Sequence, residues 1–118
     1  MMNKSCAVYK TVDIIGKKWT LLILLELYKG EKKWKRYTEL KNKLMDITPK
    51  ILSFRLKELE KSKMISKKVD ASSFPVKSEY SLTKQGEDFI NIIEDIKKWS
   101  VKWKASDCKV KDCKDCEI

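Results

Sequence analysis

The chain of 118 residues is long enough for one domain and too short for two ordinary ones, and its 42% hydrophobic content supports a single core. Its formal charge of +10, from 27 Lys and Arg against 17 Asp and Glu, favours polyanionic partners such as nucleic acid or an anionic membrane surface. The lack of histidine excludes Ser/His/Asp and Cys/His catalytic arrangements, and three isolated glycines cannot build a phosphate-binding loop, so the sequence predicts no enzyme.

The first part of the chain predicts three helices and one basic connector. A short helix covers Cys6–Ile15 and ends at Gly16. A second helix, from Lys18 to Tyr28, is apolar almost all round, which is typical of the middle of a core. Residues 31–36, EKKWKR, form a basic connector to a third helix at Tyr37–Leu44.

The stretch at residues 48–61 predicts a helix with a well-marked start. Thr48 is the expected N-cap, and Pro49 occupies the first helical position, where its missing N–H costs nothing. Three leucines share a narrow stripe that predicts the buried face: Leu52, Leu56 and Leu59. The opposite face is either simply solvated or a binding surface, and it carries Lys50, Ser53, Phe54 and Lys57.

A β-hairpin and a long helix follow. Met64–Asp70 and Val76–Leu82 both alternate apolar and polar residues around a turn-rich segment at 71–75, which predicts two antiparallel strands. Thr83 is the expected N-cap of a helix that runs to about residue 104. We therefore expect a domain at 1–105 and a flexible, cysteine-rich tail at 106–118.

The order of these elements predicts a DNA-binding fold. The helix at 37–44, the tight connector at 45–47 and the helix at 48–61 form a helix-turn-helix, which presents its second helix to a major groove, and the hairpin is a wing beside that groove. Phe54 in the groove could contact a thymine methyl group. The expected base contacts are Lys50, Ser53, Phe54 and Lys57, and the expected phosphate contacts are Thr48, Lys67, Lys68, Lys77, Lys17 and Lys18.

The last helix also predicts an interface. It carries an apolar stripe at positions i, i+4, i+7 and i+11, which a small helical core cannot wholly cover. A second copy of the chain is the expected cover, because soluble oligomers are mostly symmetric; an ordinary core stripe is the alternative. The stripe consists of Ile92, Ile96, Trp99 and Trp103.

Residues 6–103 contain a series of motifs that together resemble a known family. Cys6 is followed by motifs that begin at residues 13, 37, 48 and 75, namely DIIGKKWTLLILLEL, YTEL, TPKILSFRLKELE and PVKSEYSLTKQG, and then by the late tryptophans. In this order and spacing they resemble the HxlR-type winged helix-turn-helix regulators, which are relatives of MarR. The resemblance implies a mainly α fold with a β-hairpin wing, and a homodimeric transcription factor whose dimer is built from the N-terminal and C-terminal helices.

The sequence departs from the family pattern in two places. The connector before Tyr37 is about three residues longer than usual, so EKKWKR resembles an insertion, and the resemblance implies no role for its extra basic residues. The family pattern also does not require the cysteine-rich tail.

The four cysteines leave three functions open. Cys6 stands alone, and the other three have the spacing C-x4-C-x2-C in the tail: Cys108, Cys113 and Cys116. They predict a thiol switch, a soft-metal site or no function beyond spare thiols. Zinc suits thiolates, but the tail is an incomplete ligand set unless Cys6 joins it, and no other cofactor is predicted. The resemblance favours the switch, because several HxlR-type regulators respond to oxidants or electrophiles through a cysteine near the position of Cys6.

The leading hypothesis is therefore a sequence-specific regulator that binds a palindromic DNA operator as a homodimer, with half-sites about one helical turn, roughly 10 bp, apart. One alternative is a sequence-blind, basic architectural DNA-binding protein. Another is a thiol-redox or metal-handling protein that uses the tail. No apolar run approaches the roughly 20 residues that span a bilayer, and no signal-peptide core is present, so we expect a cytoplasmic protein without membrane partners.

Overall fold

The secondary structure follows the predicted order of helices, hairpin and long helix, with one strand added. A computed structural model describes residues 4–103 and 114 of the chain. Most boundaries agree with the sequence-based expectation within one or two residues. In chain order the elements are α1 (Ala7–Ile15), α2 (Thr20–Tyr28), β1 (Lys35–Arg36), α3 (Tyr37–Leu44), α4 (Pro49–Lys61), β2 (Ile65–Asp70), β3 (Lys77–Leu82) and α5 (Lys84–Trp103).

Strand β1 lies within the segment that we expected to be only a connector. Lys35 pairs with Tyr80 and Arg36 with Glu79, so the described strands form one antiparallel sheet in the order β1-β3-β2. A strand of two residues is too short to show the alternation by which strands are recognised in a sequence. The wing is thus a three-stranded sheet rather than a lone hairpin.

The core lies between the helices and the inner face of this sheet. Helix α2 is central, as its apolar composition predicts: the side chains of Ile23 and Leu24 are fully buried, and only Leu22 among its large apolar residues is substantially exposed. Leu40 from α3 and Tyr80 from β3 are buried in the same cluster. The apolar area that they remove from water is the main source of stability for a domain of this size.

Helix α4 is built as its sequence predicts. The Thr48 hydroxyl oxygen accepts a hydrogen bond from the backbone N–H of Ile51 at 3.2 Å, which caps the first turn, and Pro49 follows at the first helical position. The predicted leucine stripe is fully buried: Leu52, Leu56 and Leu59. These leucines fix which face of α4 points away from the core.

The turn between α3 and α4 holds the two helices together. Met45 has a positive backbone φ of 42° and its side chain is exposed, whereas the side chain of Ile47 is buried in the core. Ile47 therefore anchors the turn from inside while Met45 reverses the chain direction. The result is the predicted helix-turn-helix, with α4 as its second helix.

The N-terminal end of α5 is hydrogen-bonded to the segment at the base of the wing. The Thr83 hydroxyl accepts a hydrogen bond from the N–H of Gly86 at 3.2 Å and donates one to the carbonyl oxygen of Lys63 at 2.6 Å, so Thr83 is the N-cap as predicted. A Cβ atom on Gly86 would lie 2.2 Å from the carbonyl oxygen of Met64, so only glycine permits this close approach. No helix in the described part of the chain has the length and apolarity needed to cross a membrane.

Candidate DNA-binding surface

The outward face of α4 carries a compact set of basic, polar and aromatic side chains. The four residues predicted to contact bases are all exposed, and the Phe54 side chain is 57% exposed although it is large and apolar. The Arg55 guanidinium lies 5.4 Å from the centroid of the Phe54 ring, within the range of a cation–π contact. The structure thus brings together on one face Lys50, Ser53, Phe54 and Lys57.

Tyr37 supports this face, and the sequence-based prediction missed it. Its hydroxyl donates a hydrogen bond to the Pro49 carbonyl oxygen at 3.1 Å and accepts one from the Ser53 hydroxyl at 3.3 Å. Tyr37 therefore ties the start of α3 to the first turns of α4. The sequence did contain one signal for this role, namely a tyrosine at the first position of α3, next to α4. A tyrosine hydroxyl that packs against a neighbouring helix usually finds a hydrogen-bond partner there.

Glu58, on the side of α4, makes a second set of contacts that hold this helix in position. Its carboxylate accepts hydrogen bonds from Lys17 at 2.5 Å and from Arg55 at 2.7 Å. Partial burial raises the pKa of Glu58, but the two cationic donors outweigh it and leave the pKa below its ordinary value. We expected Lys17 to contact phosphate; in the structure its ammonium group instead links the turn after α1 to α4.

The wing lysines do not form one cluster. Side chains alternate between the faces of a strand, so Lys67 and Lys68 point to opposite sides of the wing. The Lys67 ammonium lies 5.9 Å from the ring centroid of Tyr80, on the inner face of the sheet. Lys68 shares the outer face with Lys77, and its ammonium lies 3.9 Å from the Glu79 carboxylate. The predicted phosphate contacts therefore divide into two sides of the wing.

An apolar surface lies on α5, away from its core-facing side. The side chains of Phe89, Ile90 and Ile93 are buried, whereas the predicted interface stripe is exposed. Val8 and Val12 of α1 are exposed as well. Exposed apolar side chains in such number are typical of a surface that another molecule covers. The exposed fractions on α5 are 48% for Ile92, 46% for Ile96, 56% for Trp99 and 66% for Trp103.

Cys6 is an exposed, free thiol at the N-cap position of α1. The backbone N–H groups of Tyr9 and Val8, at the start of α1, lower the pKa of this thiol below its ordinary value, because they favour the thiolate. Within the residues that the structure describes, no group of three or more His, Cys, Asp and Glu side chains is placed to hold a metal ion. The other predicted redox or zinc residues lie outside the described residues: Cys108, Cys113 and Cys116.

This geometry can be compared with known proteins. The family described as HxlR-like helix-turn-helix matches residues 14–108, which is well over half of the chain. The chain belongs to the HxlR family. An HTH-type transcriptional regulator of Bacillus subtilis strain 168, YvaP, is 37% identical over 94 residues, which are 80% of this chain and 83% of YvaP.

Solved structures of similar proteins agree with this membership. A protein from Porphyromonas gingivalis W83, described as a MarR-family transcriptional regulator, has a TM-score of 0.76 and 35% sequence identity, over 87% of this chain and 97% of its own. The reduced form of the B. subtilis transcriptional regulator YodB has a TM-score of 0.70 and 30% identity, over 87% of this chain and 95% of its own. YodB has also been crystallised after diamide treatment and with a bound quinone.

The HxlR membership confirms the resemblance found in the sequence and the winged helix-turn-helix fold. The protein is a DNA-binding transcriptional regulator of the HxlR type, and its relatives are regulators, which is a non-enzymatic role. The regulator exposes three surfaces: the outward face of α4, the wing and the apolar stripe of α5.

Proposed function

We propose that this HxlR-family regulator binds a palindromic DNA operator as a homodimer, with α4 in the major groove. The observation that carries the proposal is the outward face of α4, where exposed lysines flank an exposed phenylalanine. Lys50 and Lys57 would donate hydrogen bonds to base edges, and Phe54 would contact thymine methyl groups. Ser53 would add a weaker polar contact, because its hydroxyl already donates to Tyr37.

The wing and the start of α4 would hold the DNA backbone. Thr48 lies at the N-terminus of α4, where free backbone N–H groups favour a phosphate. Lys68 and Lys77 on the outer side of the wing, and Lys67 on the inner side, would each bind phosphates without selecting a sequence. The placement of these lysines on two sides of the wing suits a wing that lies along the groove and contacts both DNA strands.

The homodimer would be built from α5 together with α1. The exposed stripe of Ile92, Ile96, Trp99 and Trp103 supports this, since aromatic side chains are enriched where protein interfaces are fully buried. A two-fold axis through the paired helices would present two copies of α4 to successive major grooves. That geometry requires an inverted repeat with half-sites about one helical turn, roughly 10 bp, apart.

Selection of bound duplexes from random DNA tests the proposal, and we expect it to yield an inverted repeat. If each subunit neutralises three to five phosphates, log K should fall against log salt with a slope of roughly −5 to −9. Recovery of DNA without a common sequence, together with a steep salt slope, would instead favour the sequence-blind architectural protein. A flat salt response would contradict both forms of DNA binding.

We further propose that oxidation of Cys6 controls operator binding. The support is its exposure, its stabilised thiolate and the likeness to YodB, which has been crystallised reduced and after diamide treatment. Diamide takes two electrons and two protons from two thiols, which then form a disulfide. The second thiol would be a cysteine of the tail, in the same subunit or in its partner. Zinc bound by the same four thiolates is the alternative.

Alkylation of Cys6 provides the test of its thiolate character. Because the folded state lowers the pKa of this thiol, the rate of reaction with iodoacetamide should reach half its maximum at a lower pH in the folded protein than in urea. Mass spectrometry of the Cys6 peptide measures both rates, and Cys6→Ser is the control for peptide assignment.

The regulatory role is tested separately. Diamide should release the operator from the unmodified protein and leave binding by Cys6→Ser intact. The thiol switch would be contradicted if the alkylation rate reached half its maximum at the same pH in the folded protein and in urea. It would also be contradicted if diamide released the operator equally from the unmodified protein and from Cys6→Ser. Stoichiometric zinc in protein purified without a tag would favour the metal alternative.

A further inference from the structure

The basic segment before α3 has no part in the function proposed so far; we call it the inserted segment, because the family resemblance predicts that part of it is an insertion. It comprises residues 31–36, EKKWKR, in which four of six side chains are basic. In the structure it runs from the turn after α2 into β1, and it therefore joins the wing sheet directly. Its charged groups divide into those with partners inside the protein and those that face solvent.

Two of the lysines have partners within the protein, Lys35 at a half-buried site and Lys32 at the surface. Lys35 is half-buried, and its ammonium donates to the carbonyl oxygens of Glu26 at 2.6 Å and Leu27 at 3.2 Å, at the C-terminal end of α2. Burial lowers the pKa of Lys35. Lys32 forms an ion pair with Glu39 in the first turn of α3. These contacts fix the backbone of the segment on both sides of Trp34.

The other two cations, Lys33 and Arg36, are exposed. A fixed backbone beneath solvent-facing cations favours a phosphate contact, since backbone freedom is not lost when the anion binds. The neighbouring carboxylates only partly offset them. Glu79 faces Arg36 across the sheet but also lies near Lys68. Glu39, close to Arg36, is already paired with Lys32, and Glu31 is exposed.

The segment lies next to the wing lysine proposed to bind phosphate. Arg36 pairs with Glu79, and Glu79 pairs with Lys68, so Arg36 and Lys68 share one face of the sheet, two strand spacings or about 10 Å apart. The Lys68 ammonium lies 4.6 Å from the ring centroid of Trp34, a cation–π distance. Trp34 thus supports the Lys68 side chain from the inserted segment.

The same segment reaches the recognition helix. Tyr37, the residue after Arg36, begins α3 and hydrogen-bonds to Pro49 and Ser53 of α4. The first helix of a helix-turn-helix crosses the DNA backbone while the second enters the groove, so in the proposed complex the start of α3 would lie near the phosphates. Arg36 therefore shares a sheet face with the wing lysine and directly precedes the residue that contacts α4.

We propose that the inserted segment is a third DNA-contacting element in each subunit, in which Lys33 and Arg36 bind phosphates beside the half-site and Trp34 positions Lys68 for the same purpose. The inference rests on the proposed function of α4 and the wing. It assigns affinity, not base selection, to the segment.

Arg36→Ala and Lys33→Ala should each make the plot of log K against log salt shallower by about 2 for a dimer, since one contact is lost per subunit. At about 0.1 M salt the affinity should fall on the order of 10-fold, equally for the selected operator and for a mixed-sequence duplex of about 30 bp. Fluorescence anisotropy with both duplexes measures these values. Lys98→Ala is the matched control, because it removes one exposed lysine from α5, and it should leave the slope unchanged.

Trp34 is tested by a double-mutant cycle. Trp34→Ala should weaken binding and flatten the slope in the unmodified protein but have little added effect in Lys68→Ala, and Trp34→Phe should restore binding because it keeps a ring beneath the ammonium. Slopes for Arg36→Ala and Lys33→Ala equal to that of Lys98→Ala would overturn this inference alone. Failure of the unmodified protein to bind either duplex would overturn the proposed function and the inference with it.

Discussion

Ile96→Glu is expected to separate the dimer into monomers and to lower affinity for the full operator on the order of 100-fold, because the linkage of two half-site contacts is lost. Ile96 lies in the exposed stripe of α5 and is 46% exposed in the single chain. In the proposed dimer its side chain would be buried twice, once per subunit. A carboxylate at that position would lose apolar burial and would also bring two like charges into a region that excludes water.

The matched control is Asn91→Glu, which places the same charge on the polar side of α5, where Asn91 is exposed. Sedimentation velocity would give the oligomeric state and anisotropy the operator affinity. Both should be unchanged in the control. Binding of Ile96→Glu to a single half-site should persist, since α4 and the wing are intact. A variant that remains dimeric, or a monomer with full operator affinity, would contradict the proposed interface.

The sequence predicted those parts of the fold that rest on strong local signals. The Thr48-Pro49 start and the leucines of α4 follow from capping and from a 3.6-residue period, and the structure places them as expected. Thr83 likewise begins α5 through its own side chain. Each signal lies within a few residues of the structure that it determines.

The features that were missed depend on contacts between distant residues. Strand β1 exists because Lys35 and Arg36 pair with β3, more than 40 residues later, and two residues alone have no detectable period. The Lys17 ammonium pairs with Glu58, so a lysine expected to be free for phosphate is engaged. Tyr37 contacts Ser53 only once α3 has folded against α4. Such pairings require the tertiary arrangement.

The candidate site shows the same division. The amphipathic pattern of α4 was sufficient to predict which of its side chains face outward, and all four are exposed. The pattern of the hairpin predicted the lysines but not their grouping with the inserted segment, because the ring contact of Lys68 comes from Trp34, just before β1 and more than 30 residues earlier in the chain. Prediction from the sequence thus identified the base-facing residues more completely than the phosphate-facing surface.

Lys57→Ala should relax base preference at a particular position of each half-site, whereas Lys68→Ala should weaken all sequences about equally. Lys57 is exposed on the outward face of α4, where a lost hydrogen bond to a base edge costs about 1–3 kcal/mol of discrimination, or roughly 5- to 150-fold. Lys68 lies on the wing beside Trp34 and Glu79, and its loss should remove about two phosphate contacts per dimer.

Affinities for a panel of single-base operator variants, measured at two or more salt concentrations, separate these effects. For Lys57→Ala the ratio between preferred and disfavoured bases should shrink at one symmetric pair of positions. For Lys68→Ala all ratios should stay constant while the salt slope becomes shallower by about 2. Sequence-blind losses of equal size from both variants would mean that α4 is only a charged surface. In that case the exposed Phe54 would have no thymine to contact, and the protein would bind DNA through its charge alone.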